Sequence, residues 1–182
     1  IGVEKMSCTP SVGRISNGRG GQSISISSLT RRAESRQERI HASERIMITP
    51  VVLGLKASKA RELGWTDNPN VTWKDIADAA GQGRFTFGMT NPSSSNTGFS
   101  GLLGLAAALS GKGDALEARD VDAKGLAAFF RAQRLASGSS GWLADAYVKE
   151  QDRIDGMINY ANVLLALNRS GELREPLALI YP

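Results

Sequence analysis

The chain has 182 residues, of which 41% are hydrophobic and 22% charged, enough for one domain that takes roughly 70% of its unfolded surface out of water. It holds one cysteine, Cys8, and one histidine, His41. That excludes a disulfide framework and a Cys/His zinc site, and leaves no Ser-His-Asp triad unless His41 serves in it. No run of 18 or more apolar residues offers a transmembrane helix. The chain opens at Ile1 with no basic segment leading into an apolar stretch, as expected of a processed or truncated product.

Charge is unevenly distributed. Residues 1–45 carry eight Lys/Arg against four Glu, whereas residues 46–182 carry fourteen of each sign. The net charge of +4 therefore belongs to the N-terminal quarter, and the body has no electrostatic footprint for nucleic acid. Ser11–Ser28, SVGRISNGRGGQSISISS, has almost no large apolar residue and cannot offset its ordering entropy by burial. Residues 1–45 are expected to form an irregular, partly disordered basic arm, with a short helix across Leu29–Ile46.

Past residue 45 the pattern becomes regular. Ile46–Lys56, IMITPVVLGLK, is a β-branched apolar run that reads as a strand, and Pro50 predicts an edge or crossing position for it. A short helix over Ser58–Leu63 ends at Gly64. Thr72 with Asp75 opens a capping box, and Trp73, Ile76, Ala77 and Ala80 fall on one helical face. Arg84–Met89 alternates as a strand, Thr90–Thr97 is a polar loop, and a small-residue helix runs from Gly98 to Leu109, with Gly98, Gly101 and Gly104 suited to close packing on a sheet. A helix over Val121–Gln133, a loop at Ser137–Gly141 and a helix over Trp142–Gln151 follow. The strand Ile154–Asn159, the helix Tyr160–Leu167 and the strand Leu177–Tyr181 complete the chain. Strands alternating with helices predict an α/β fold, a parallel-sheet, three-layer, Rossmann-like lobe.

In such sheets ligands bind where strand ends lead into helix N-termini. Asn91–Gly98, NPSSSNTG, joins a strand to a helix, and Ser94, Ser95, Asn96 and Thr97 place side-chain donors beside the unpaired N–H groups of that helix and of Gly98. This is an anion cradle without a cationic side chain. The alternative is that Asn96 or Thr97 merely caps the helix. Ser137–Gly141, with Ser139, repeats the logic, as cradle or as cap. Asn159 and Tyr160 end a strand, where an amide and a phenol would emerge at the ligand edge or pack within the lobe.

Signatures of catalysis are absent. Gly138-Ser139-Ser140-Gly141 lacks the spacing of a nucleophile elbow, Gly113 stands where a P-loop after Gly111-Lys112 needs Ser or Thr, and Gly81-Gln82-Gly83 has no third glycine. The pairs Asp152/Asp155 and Asp120/Asp122 read as solvated carboxylates. No catalytic residue, metal site or cofactor is expected.

Ile46–Lys56, Val71–Ala80 (VTWKDIADAA), Phe85–Leu109 (FTFGMTNPSSSNTGFSGLLGLAAAL), Ser139–Val148 (SSGWLADAYV) and Asp155–Leu167 (DGMINYANVLLAL) together resemble bacterial extracellular solute-binding proteins. The resemblance covers about residues 40–182 and is to the phosphate- and molybdate-like branch, some members of which carry a von Willebrand factor A domain. It implies the type 2 periplasmic-binding-protein fold, two α/β lobes joined by crossing strands, with ligand captured in the cleft between them. On this chain the crossing strands would fall near 46–56 and 176–182, and residues 46–182 would be one solute-binding lobe of a partial chain whose first lobe is missing. The implied ligand contacts are Ser94–Gly98 and Asn159–Tyr160. The implied partners are a small polar or oxyanion solute and a membrane transporter of the ABC kind, and the implied location is periplasmic or extracellular. The competing reading is a non-catalytic interaction domain whose basic arm contacts nucleic acid or an anionic surface. A single RGG copy, no interleaved aromatics and the four Glu count against it, so no nucleic-acid partner is expected.

Overall fold

The computed structural model describes residues 48–182. The basic arm, Cys8, His41 and the helix expected within Leu29–Ile46 lie outside the described residues.

Five strands form one sheet: β1 (Val51–Lys56), β2 (Phe87–Thr90), β3 (Gln133–Ser137), β4 (Gly156–Tyr160) and β5 (Leu177–Ile180), in the spatial order β3-β2-β4-β1-β5. The helices are α1 (Ala57–Glu62), α2 (Trp73–Gly81), α3 (Asn96–Ser110), α4 (Ala123–Phe130), α5 (Ser140–Glu150) and α6 (Ala161–Ser170). The α/β lobe is the expected one, and its sheet is mostly parallel. β2 pairs in parallel with β3 and β4, while β1 runs antiparallel to both β4 and β5.

Two placements differ from the sequence reading. Of the edge or crossing position that Pro50 predicted, the edge is excluded, because β1 lies inside the sheet, with Val51 opposite Tyr160 and Leu53 opposite Ile180. The strand starts one residue after the proline, so no ladder N–H is lost, and the Pro50 carbonyl instead accepts the N–H of Ala161 at 2.9 Å. The predicted helix Val121–Gln133 ends at Phe130, and its last residue opens β3, an edge strand that pairs only with β2. With Arg134 and Ala136 exposed, Gln133–Ser137 lacks the apolar run that marks the inner strands.

Strand alternation divides the apolar residues between two faces. Val51, Leu53 and Leu55, with Phe87, Met89 and Ile158, join Ile76 and Ala80 of α2, Leu105 of α3 and Phe129 of α4 in one core. Val52, Met157 and Leu177 join Leu143 and Tyr147 of α5 and Leu164 and Leu167 of α6 in the other. Helices on both faces make three layers, and each fully buried Leu or Ile contributes about 1.5–3 kcal/mol. Burial also pushes the Tyr147 phenol above its ordinary range. Gly101 lets α3 lie on the sheet, since a Cβ there would meet Met89 Cε at 3.2 Å. Among the described residues no helix is long and apolar enough to cross a membrane.

The amino edge of the parallel strands is closed by its own side chains. The Asp155 carboxylate accepts from the Thr86 N–H at 2.7 Å and from its hydroxyl at 2.9 Å, and Lys56 N–H donates to the Asp155 carbonyl at 2.8 Å. Asp155 is therefore a half-buried structural acceptor rather than a solvated carboxylate. Its expected companion Asp152 is exposed and pairs with Arg174. Asp122 caps α4 through the N–H groups of Lys124 and Gly125, and Asp120 accepts the N–H of Glu117.

Candidate functional site

At the opposite, carboxyl edge, β2, β3 and β4 lead into α3, α5 and α6, and the eight residues singled out in the sequence all lie there. The β2–α3 loop is organised by Asn91. Its N–H donates to the Ser137 carbonyl at 2.8 Å, tying the loop to the end of β3, and its carbonyl accepts from Ser94 and Ser95 N–H at 3.1 and 2.9 Å. The Asn91 Oδ1 accepts the Ser93 N–H at 2.9 Å.

Cross-links join the three segments. Thr97 Oγ1 and Ser140 Oγ stand 2.6 Å apart, linking the first turns of α3 and α5. The Asn96 amide donates to the Tyr160 hydroxyl at 3.3 Å, linking α3 to the end of β4. Asn159 is fully buried; its Nδ2 donates to the Ser140 carbonyl at 3.0 Å and its Oδ1 accepts the Tyr160 N–H at 2.8 Å. Both ends of that amide are thus engaged inside the lobe, where they position the β3–α5 loop.

The three helix N-termini differ in what they leave unpaired. α6 is covered: its Ala161 N–H reaches Pro50, and Asn162 N–H reaches Thr49 Oγ1 at 3.4 Å while Thr49 donates back to Asn162 Oδ1 at 2.8 Å. α5 is half covered, because Ser139 Oγ accepts the Trp142 N–H at 3.3 Å, leaving the N–H groups of Ser140 and Gly141 without a partner among the described residues. α3 is open. It begins at Asn96, two residues before the predicted start, with Ser95 at the N-cap position and no side-chain cap. The N–H groups of Asn96, Thr97 and Gly98 therefore have no partner among the described residues. Neither Asn96 nor Thr97 acts as the cap that was the alternative in the sequence.

Gly98 is required by close approach: a Cβ there would stand 2.3 Å from the Thr90 carbonyl oxygen. That contact seats the first turn of α3 on the end of β2. Asp, Glu, Lys, Arg and His are all absent from residues 91–98, 137–142 and 159–162. Within these segments the electrostatic attraction for an anion comes from the positive ends of the helix dipoles, roughly half an elementary charge per helix. The first turns carry Phe99 and Trp142, 54% and 69% exposed, as aromatic side chains beside these donors.

Ser94 is exposed and Ser95 half-buried; among the described residues the Ser94 hydroxyl has only a 3.5 Å contact to the Asn91 carbonyl and the Ser95 hydroxyl no bond. Sequence reasoning placed Ser140 and Asn91 in its candidate loops without giving either a role of its own; the place of Ser140 one residue after an N-cap serine was the available signal. It missed the burial of Thr90 and the Thr49–Asn162 pair, which depend on segments distant in sequence.

A separate cavity of about 560 Å³ lies along β1 and β5, lined by Val51, Val52, Trp65, Trp73, Ile180 and Tyr181 among others, and none of Ser94–Gly98, Ser139, Asn159 or Tyr160 lines it. Val51–Leu55 are all buried, and of Leu177–Tyr181 only Tyr181 is exposed. Among the described residues no group of three His, Cys, Asp or Glu could hold a metal ion.

No family model matches this sequence, and no curated protein matches it. Among solved structures it is similar to the sulfate-binding protein SubI from Mycobacterium tuberculosis H37Rv, at 22% identity and a TM-score of 0.52 over 72% of this chain. The match spans 40% of the length of that protein. The described lobe thus has the fold of part of a solute-binding protein.

Proposed function

We propose that the carboxyl edge of this lobe binds a small, dehydrated oxyanion without covalent chemistry. The observation that carries the reading is the uncapped N-terminus of α3, bridged to that of α5 by the 2.6 Å Thr97–Ser140 contact, with no charged side chain in the loops around it. Backbone N–H groups of Asn96, Thr97, Gly98, Ser140 and Gly141, with the hydroxyls of Ser94 and Ser95, form a set composed of donors that suits an ion composed of acceptors. Ser139, Asn159 and Tyr160 hold those donors in place and border the ligand. The loops hold no carboxylate to accept a proton from the ligand, so a fully deprotonated tetrahedral ion such as sulfate or molybdate is favoured over protonated phosphate. The sulfate-binding neighbour supports an anion ligand, and the sequence resemblance supports the wider phosphate- and molybdate-like group.

The same resemblance supports one lobe of an exported, two-lobed binding protein that delivers its solute to a membrane transporter of the ABC kind, in the periplasm or outside the cell. The exposed Phe99 and Trp142 suit a surface that meets a second lobe. The test is a thermal-shift series of the chain with sulfate, molybdate, phosphate, amino acids and sugars. An anion at 100 times its Kd should add about 2.7 kcal/mol of stability. Sulfate or molybdate should raise Tm selectively, and Ser95→Ala and Thr97→Ala should weaken the effect. Equal response of these variants, or no response to any anion, overturns the reading.

A further inference from the structure

The 560 Å³ cavity along β1 and β5 combines buried apolar walls with a solvent-exposed polar turn. Val51, Val52 and Ile180 are buried strand residues, and Trp65, 8% exposed, packs edge-on against Phe85 with ring centroids 5.9 Å apart. Trp73, half-buried at the start of α2, adds a second indole. Thr66, Asp67 and Asn68 are exposed and also line it. Their turn is held at both ends: Trp65 N–H donates to the Ala60 carbonyl at 2.8 Å, and Asn68 N–H donates to the Trp65 carbonyl at 3.3 Å.

Asp67 is the third residue of that turn, with φ +55°, and is the one non-glycine residue with positive φ among the described residues. Glycine is favoured at such a position. The carboxylate placed there instead makes no ion pair with Lys or Arg among the described residues. Its neighbour Asn68 is engaged within the turn, its Oδ1 accepting the Asn70 N–H at 3.0 Å. Asp67 is also the only charged side chain that lines the cavity.

We infer that this cavity is a second binding site, for a hydrophobic amine whose apolar body packs against Trp65 and Trp73 and whose protonated nitrogen meets Asp67. Its volume is that of a small-molecule site. Its chemistry is the inverse of that at the carboxyl-edge loops, offering a carboxylate and π faces in place of N–H donors. An anion would be repelled by Asp67, a bare metal ion would leave the apolar walls wet, and a neutral apolar molecule would leave the carboxylate unused. Because the turn is exposed, the ammonium keeps part of its hydration there, so the walls supply most of the affinity and Asp67 supplies the preference for a cation.

The test uses the full chain and two probes of nearly equal shape, phenethylamine and phenethyl alcohol, titrated at neutral pH with tryptophan fluorescence as the readout. The amine should bind about fivefold more tightly than the alcohol, the size of a partly exposed ion pair. Asp67→Asn, which tolerates the same backbone, should erase that preference by weakening the amine alone. Tyr181→Ala, at an exposed position in the lining, should weaken both probes alike, by about two- to tenfold for one lost aromatic contact. Without ligand, Asp67→Gly should unfold at the same or a higher temperature than the parent. A clear loss of stability in Asp67→Gly would mean that the carboxylate is already used inside the lobe, and overturns the inference. So does binding of neither probe, equal binding of both, or an amine preference that survives Asp67→Asn. Each of these failures leaves the oxyanion reading intact, since Ser94–Gly98 line no part of this cavity.

Discussion

The N-termini of α2 and α3 begin with the same kind of residue and end up in opposite states. Thr72 accepts the Asp75 N–H at 3.2 Å while the Asp75 carboxylate accepts the Thr72 N–H at 2.8 Å, a complete capping box. Ser95 occupies the same position on α3 and caps nothing. One helix consumes its own donors; the other leaves them at the sheet's carboxyl edge, beside a second helix N-terminus. A hydroxyl before a helix therefore does not establish a cap. An N-terminus in which the hydroxyl and the N–H groups stay unpaired is the one with capacity for a ligand.

Substitution of glycine gives the largest expected contrast between the two helices. Gly98→Ala drives a Cβ into the Thr90 backbone carbonyl, so the first turn of α3 must lift from β2. A loss of about 1–3 kcal/mol in chemical denaturation is expected, together with loss of anion binding. Gly81→Ala, in the last turn of α2, meets Ala128 at ordinary contact distance, its Cβ at 3.4 Å and its backbone at 3.8 Å or more, and should change stability by less than about 1 kcal/mol. Similar losses at both positions would break the comparison.

Next in size is the pair of cap substitutions. Thr72→Ala should cost about 1 kcal/mol, the usual value of a lost N-cap. Ser95→Ala should leave denaturation midpoints nearly unchanged yet reduce the stabilisation given by sulfate. A destabilised Ser95→Ala with full anion response would show that Ser95 is an ordinary cap after all.

The smallest expected effect is pH-dependent and belongs to α2 alone. Hydrogen bonds from the Thr72 hydroxyl, and then from its N–H, lower the Asp75 pKa below the ordinary carboxylate value. A depressed folded-state pKa means that this stabilisation is present above the unfolded value of about 3.9 and is lost as pH falls through the folded one. Asp75→Asn should therefore lose stability relative to the parent at pH 7, and the gap should close below about pH 4. A gap independent of pH would assign the capping box no charge-dependent part.

Much of this was legible along the chain. The capping box at Thr72, the strand announced by Phe85, Phe87 and Met89, and the NPSSSNTG link between a strand and a helix are patterns of neighbours a few residues apart; the box stands where it was expected, while the strand lies at Phe87–Thr90 rather than Arg84–Met89 and the helix begins at Asn96 rather than Gly98. The edge strand Gln133–Ser137 was not legible, because a strand covered on one side by β2 needs no apolar run to hold its place. Of the site, residue types and loop positions were readable, but their division of labour was not. Asn159 ends a strand, where the sequence leaves emergence at the ligand edge and packing within the lobe both open; it is wholly buried, with its amide donating to the Ser140 carbonyl.

The sequence by itself determined which segments become helices and inner strands, and that a loop without charges leads into a small-residue helix. Periodicity, capping and glycine placement act over one or two turns of chain, so they are written locally. Only the tertiary structure decided that β1 runs antiparallel inside the sheet, that the N-termini of α3 and α5 meet across the Thr97–Ser140 bond, and that the Thr90 hydroxyl is buried without a partner among the described residues. These depend on contacts between residues 40 or more positions apart, and such contacts are set by how whole layers pack.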